Sequence, residues 1–355
     1  MDRVYWLCSE GYILGKSEIM IIRANEVYRI KYQEDKDCRS GNNLVMNATP
    51  HNPDYLEFTG SELYEVIMVM GLLPNERKNP VISLSRTNEI SFKLYMVQLA
   101  LKITTDDQGN NYLSIDDNAM KFLDSSEKAA ISYWLGMFFA TLVAIKEYKF
   151  ESVVHFARFE KSKYCKNKIP KKKKRNPKTK KIIKMSAPDL VAIDKTNSKY
   201  GVFEAKGYQI FRRSTMVNAV DQVQQIKSIN NDPDIKRIVA YSRLKSSEIV
   251  LRTKDPTEGE YSIDLDVDEA LLWQYMPLFE LTEEIGVSTD NYYTYCKLSF
   301  VKGFERLKFH SEFYALLKEA ANEFRKKKKT DLGLVRTSDI IANLIQNDCF
   351  GVKVE

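Results

Sequence analysis

Histidine is scarce: His51, His155 and His310 are the only three in 355 residues, and they lie far apart. Chemistry built on a cage of several histidines, or on a histidine-centred nuclease motif, has too little to draw on. His155, inside the apolar run SVVHFARF, reads as a strand histidine with its hydrogen bonds satisfied. Cysteine is sparse as well. Cys8, Cys38, Cys165, Cys296 and Cys349 are odd in number and form no C-x-x-C pair, a pattern of reduced thiols without a zinc site or disulfides. The opening MDRVYWLCSEGY lacks the layout of a secretion signal. The most apolar run, Tyr133 to Ile145, is shorter than the about 20 residues that cross a bilayer. These absences predict a cytoplasmic protein without a membrane anchor. A phosphate-cradling loop is missing too: GYILGKS, Gly11 to Ser17, has three residues between its glycines where that motif needs four, so a plain turn is expected.

The chain does have a globular apolar fraction, 44%, and enough length to bury a core. Its net charge of +6 is unevenly spread. Residues 161 to 184, KSKYCKNKIPKKKKRNPKTKKIIK, hold 13 of the 54 basic residues and no acid, leaving 41 basic against 48 acidic elsewhere. Pro170, Pro177 and dense like charge predict a mobile, self-repelling loop there. It would neutralise phosphates of a nucleic acid through Lys168, Lys171, Lys172, Lys173, Lys174, Arg175, Lys178, Lys180 and Lys181.

Three regions are expected. Residues 1–115 read as a mixed α/β N-terminal region, with strand-like VYWL, IMIIRA and VYRIKY, a helix over GSELYEVIMVMGLL and a hairpin at DDQGNN. Residues 116–250 read as the core. It opens with a buried helix from about Ser126 to Tyr148, where Asp124 and Glu127 form a capping box. The strand SVVHFARF follows, then the basic segment and the stretch APDLVAIDKTNSKYGVFEAKGY. An amphipathic helix over STMVNAVDQVQQIKSI and the strand KRIVAYSRL complete it. Residues 251–355 read as mainly helical.

The stretch from Ala187 to Tyr208 carries charge where a buried sheet would reject it. Alternation puts Glu204 and Lys206 on one face of their strand, with Phe203 and Ala205 on the other. If the two halves pair antiparallel, any register whose paired numbers sum to an odd value brings Asp189 to that same face. A sum of 393 sets it opposite Glu204 with Thr196 and Asn197 in the turn. Two carboxylates so placed both stay ionised only with a cation between them or with ample water. Oxygen ligands with open positions suit Mg²⁺ or Mn²⁺.

Pro188-Asp189 followed by Glu204-Ala205-Lys206 resembles the PD-(D/E)xK nuclease superfamily. Over residues 120–245 the element order resembles that family's restriction-endonuclease-like α/β core, a mixed central sheet flanked by helices. The resemblance implies that Asp189, Glu204 and the carbonyl of Ala205 bind the divalent metal and that Lys206 assists the attacking water. Gln222, beside the apolar stripe of the following helix, stands where several branches of the family carry a glutamine. Glu127, where some members place a further ligand, is explained by its cap. The expected function is Mg²⁺-dependent endonuclease cleavage, of DNA ahead of RNA, in defence against foreign DNA or in recombination and repair. A homodimer or partner subunit is consistent with it. The rival expectation is a catalytically inactive nucleic-acid-binding or scaffolding subunit on the same fold.

Overall fold

The computed structural model describes residues 22–35, 55–70, 85–156, 173–175, 182–184, 187–210, 212–256, 259–298, 305–325 and 352–354. In chain order these form β1 (Val27–Asp35), β2 (Tyr55–Thr59), α1 (Gly60–Val69), α2 (Arg86–Ala100), β3 (Leu101–Thr105), β4 (Asn111–Ile115), α3 (Asp117–Lys121), α4 (Ser125–Lys146) and β5 (Ser152–His155). There follow β6 (Lys173–Arg175), β7 (Ile182–Lys184), β8 (Leu190–Asp194), β9 (Lys199–Tyr208), α5 (Arg213–Val223), β10 (Ile226–Ile229), β11 (Lys236–Leu244), β12 (Ile249–Lys254) and β13 (Tyr261–Ile263). The rest comprises α6 (Val267–Ile285), β14 (Ser288–Thr289), β15 (Tyr293–Lys297), β16 (Arg306–His310), α7 (Ser311–Arg325) and β17 (Val352–Val354).

The architecture is mixed α/β. One nine-stranded sheet runs β3-β4-β1-β12-β11-β9-β8-β5, with β2 paired to β1. Strands β1 to β4 come from residues 1–115 and β12 crosses residue 250, so this sheet spans the expected boundaries between regions. At its centre β9 lies parallel to β11 and antiparallel to β8.

Each face of β9 meets a different layer. Phe203 and Ala205 join the core formed with α4, whose Leu135, Phe138, Phe139 and Leu142 are buried. Val202 instead packs with Met216, Ala219 and Val223 of α5. Where α4 crosses β9, backbone meets backbone: a Cβ on Gly207 would stand 1.9 Å from the Ser132 carbonyl oxygen, so only glycine fits. The capping box of α4 forms as expected. Asp124 Oδ1 accepts from the N–H groups of Ser126 and Glu127, and Glu127 Oε2 accepts from the Asp124 N–H at 2.8 Å. By length and composition α4 could cross a membrane, unlike the shorter run read from sequence, but 67% of its apolar window is buried inside the fold. It serves here as the core helix. Cys296 is a buried free thiol, and the His155 ring bonds to the Tyr133 hydroxyl at 3.2 Å.

Three expectations need correction. The helix after β9 stops at Val223, and Ile226 to Ile229 form β10 parallel to β13. A bulge between Ile226 and Ser228 lets Ile226 and Ile229, three apart, both be buried, which imitates helical spacing. The Arg237 guanidinium fixes that turn by donating to the carbonyls of Ile226 and Lys227. Second, the basic segment is not wholly a loop: β6 and β7 pair antiparallel, Lys174 opposite Ile183, because the β-prone isoleucines offer the backbone a ladder. Lys168, Lys171, Lys172, Lys178, Lys180 and Lys181 lie outside the described residues, as do GYILGKS and VYWL. Third, the region after residue 250, read as mainly helical, adds to α6 and α7 a four-stranded sheet that the expectation did not include, β14-β15-β16-β17. Its alternating YTYCK and RLKFH are short and polar on one face, which hides strands from a search for apolar runs.

Candidate active site at the mouth of the β8–β9 hairpin

The hairpin forms because LVAID and KYGVFEAKGY supply β-branched and aromatic residues on both sides of a polar turn. Asp194 ties that turn down, its carboxylate accepting from Asn197 N–H at 2.9 Å and Asn197 Nδ2 at 2.8 Å. Ser198 takes the left-handed conformation, φ 51°. The register is the one with sum 393: Leu190 opposite Phe203, Asp194 opposite Lys199. One step beyond the last pair, Asp189 meets Glu204.

They are joined twice. Glu204 Oε2 accepts from the Asp189 N–H, and Asp189 Oδ2 accepts from the Ala205 N–H, both at 3.0 Å. In a strand the N–H and C=O of one residue share an edge, so the Ala205 carbonyl turns toward Asp189. Lys206 Nζ donates to Glu204 Oε1 and lies 3.7 Å from Asp189 Oδ2. Asp189, Glu204, Ala205 and Lys206 therefore converge. The Glu204 side chain is 1% exposed, whereas Asp189 and Lys206 keep 20% and 18% of theirs in solvent. The cluster is walled on one side and open on the other.

Burial, reinforced by the Asp189 carboxylate, pushes the Glu204 carboxyl well above its ordinary value. For Lys206 burial alone would lower the ammonium, but the Glu204 and Asp189 carboxylates outweigh it and hold it above the usual lysine value. At rest the lysine is a charged donor.

Gln222 is close but not among them. Its Nε2 donates to the Ala187 carbonyl at 3.3 Å, two residues before Asp189, so it holds the segment that delivers the aspartate. Glu127 sits in its cap at the N-terminus of α4. Lys173, Lys174 and Arg175 belong to β6, in a separate two-stranded sheet.

Sequence reasoning passed over Tyr208 and Tyr241. Tyr208 continues the face of Glu204 and Lys206, and its ring stacks on that of Tyr241, centroids 5.7 Å apart. Burial raises the Tyr208 phenol, while Lys206 among its neighbours pulls it the other way. Extending the same alternation two residues past Lys206 would have found it.

The donor set is chemically suited to a hard divalent cation: two carboxylates and one carbonyl edge, all oxygen. Lys206 Nζ, against both carboxylates, marks where positive charge is favoured. Among the described residues no group of three or more His, Cys, Asp or Glu side chains is placed to hold a metal ion. An ion held by two carboxylates and one carbonyl would keep positions for water and for a phosphate oxygen. No family model matches the chain, and neither a curated protein nor a solved structure does.

Proposed function

We propose that the chain is a metal-dependent endonuclease hydrolysing phosphodiester bonds, with DNA as its substrate, on a restriction-endonuclease-like core of the PD-(D/E)xK kind. The observation that carries the reading is the convergence of Asp189, Glu204 and Lys206 at one open hairpin mouth, two negative charges against one positive. A structural ion pair has no use for the second carboxylate, whose repulsion adds to the cost of burying the first.

Asp189, Glu204 and the Ala205 carbonyl would hold Mg²⁺ or Mn²⁺, which when bound supplies Lewis-acid stabilisation of charge on the phosphate and the leaving oxygen. Lys206 Nζ donates hydrogen bonds that orient the attacking water and the scissile phosphate. Gln222 fixes the Ala187–Asp189 segment so that the aspartate presents its oxygens in register with Glu204. The basic stretch 161–184 neutralises neighbouring phosphates and makes binding salt-sensitive.

Supercoiled plasmid incubated with Mg²⁺ or Mn²⁺ tests this. The intact chain should nick it, EDTA should stop the reaction, and Asp189→Ala and Lys206→Ala should each abolish it. Cleavage that survives both substitutions would move the chemistry elsewhere. DNA binding without any metal-dependent cleavage would favour a scaffolding subunit instead.

A further inference from the structure

The outer face of the C-terminal sheet carries a second gathering of rings and cations that the hairpin site does not use. β15 and β16 pair with Tyr293 opposite His310, Tyr295 opposite Lys308 and Lys297 opposite Arg306. Alternation sends Thr294, Cys296, Leu307 and Phe309 inward, where all are buried. The other six side chains share the outer face, and Lys353 of β17 stands at the position beside Lys308.

The cations on this face lie over the rings. The Arg306 guanidinium is 4.4 Å from the Tyr295 centroid, and Lys308 Nζ is 4.0 Å from that of Tyr293. The His310 ring meets Tyr293 edge-on at 6.0 Å. Asp290 anchors the start of β15: its Oδ1 accepts from the N–H groups of Tyr292 and Tyr293, and its Oδ2 from the Tyr295 hydroxyl at 3.0 Å. That holds the Tyr295 ring at its hydroxyl and fixes the backbone of Tyr293; both tyrosines are half-buried, with Arg306 and Lys297 exposed beside them.

We propose that this face binds single-stranded nucleic acid, Tyr293 and Tyr295 stacking successive bases while Lys297, Arg306 and Lys308 meet the phosphates. Aromatic rings interleaved with cations on an open sheet face are what such binding needs. Selection for single strands follows from spacing. The two ring centroids are 6.2 Å apart, nearly twice the about 3.4 Å per nucleotide of a duplex strand. Bases seated on both rings must first be unstacked from each other. The ring faces now covered by Arg306 and Lys308 are the ones a base would take, and the displaced cations stay within reach of its phosphate. The inference stands apart from the nuclease reading, because it uses none of Asp189, Glu204 or Lys206 and would hold for a scaffold.

Fluorescence anisotropy of labelled oligo-dT, oligo-U and a hairpin duplex, with the full-length chain in EDTA so that nothing is cut, tests it. Both single strands or one of them should bind more tightly than the duplex, and a difference between them names the preferred sugar. Tyr293→Ala/Tyr295→Ala should weaken single-strand binding about tenfold or more per ring, and Tyr293→Phe/Tyr295→Phe, which keeps the stacking surface, should stay within about twofold. Arg306→Gln/Lys308→Gln should lower the slope of log affinity against log salt by about one to two. If the alanine pair melts the sheet, the phenylalanine and glutamine pairs still decide. Unchanged single-strand affinity in the glutamine pair, with loss confined to substitutions in residues 168–181, would overturn the proposal. So would binding to anionic vesicles but not to either oligonucleotide.

Discussion

Two clusters of charge among the described residues, each built round a buried carboxylate, are composed differently. Where α2 meets α6, Arg86 Nε donates to Glu280 at 2.6 Å, with both side chains only 4% exposed. Glu89 completes the pair, and Lys93 binds Glu89 at 3.7 Å and the Met70 carbonyl at 3.2 Å. Glu284 also accepts from the Arg86 N–H at 2.6 Å, and Glu89 keeps 22% of its side chain in solvent, so the sealed part of this cluster is the Arg86–Glu280 pair. At the hairpin mouth two carboxylates face one cation, and two of the three side chains keep about a fifth of their surface in water. At the first site the most buried carboxylate, Glu280, is answered by an equally buried guanidinium; at the second the most buried, Glu204, has another carboxylate beside it as well as its cation, which leaves a place for one more positive charge.

Removing one member from each is the sharpest way to break that contrast. Arg86→Met leaves Glu280 buried without its partner and should cost about 3–5 kcal/mol of stability, read from urea or thermal melts. A loss below about 1 kcal/mol would mean that stability does not depend on the Arg86–Glu280 contact.

Asp189→Asn and Glu204→Gln should behave in the opposite way. Either removes a repelling charge while preserving the shape, so stability should change by no more than about 1 kcal/mol, whereas Mg²⁺-dependent cleavage should fall at least about 100-fold. If Glu204→Gln destabilises the chain as severely as Arg86→Met, the hairpin cluster is a structural ion network and the endonuclease reading loses its basis.

The two clusters also differ in how far sequence announces them. Asp189, Glu204 and Lys206 come from two segments fifteen residues apart, and a single rule, alternation plus an antiparallel turn, fixes their register. Arg86 and Glu280 are separated by 194 residues, and no local pattern links them. The same distinction runs through the fold. The α4 cap, β11 from Lys236 to Leu244 and the 393 register depend on neighbours in sequence and were legible. The joining of β1 to β12, Lys31 beside Val250, depends on distant partners and was not. β10 was misread for a further reason, since a bulged strand buries residues three apart just as a helix does. Tyr208 was legible in principle and passed over.

A smaller effect belongs to Gln222. Its hydrogen bond to the Ala187 carbonyl supports the aspartate without contributing charge, so Gln222→Ala should cost only about 0.5–1.5 kcal/mol of stability. Because Asp189 would then be less well held, the apparent Mg²⁺ requirement should rise about 10-fold. Saturating Mg²⁺ should restore most of the rate. A rate that stays low at any Mg²⁺ concentration would place Gln222 on the substrate instead.

The smallest effect is expected where charge is neither buried nor paired. Asp106 closes the β3–β4 turn by accepting from Gln108 N–H at 2.9 Å, Asn110 N–H at 2.8 Å, Asn110 Nδ2 at 2.9 Å and the Tyr112 hydroxyl at 3.0 Å. These donors, the Asn110 side chain foremost, pull its carboxyl from 3.8 down to about 2. Because the folded value lies below the unfolded one, its contribution is fully present above about pH 4 and drains away as pH falls through about 2. Asp106→Asn should therefore sit slightly below wild type in stability near neutrality, with the gap closing as acid is added. Carboxyl NMR titration checks the cause: if Asp106 titrates near 4, the turn is held by its backbone alone. The charge at this turn is then merely solvated, in contrast to both buried clusters.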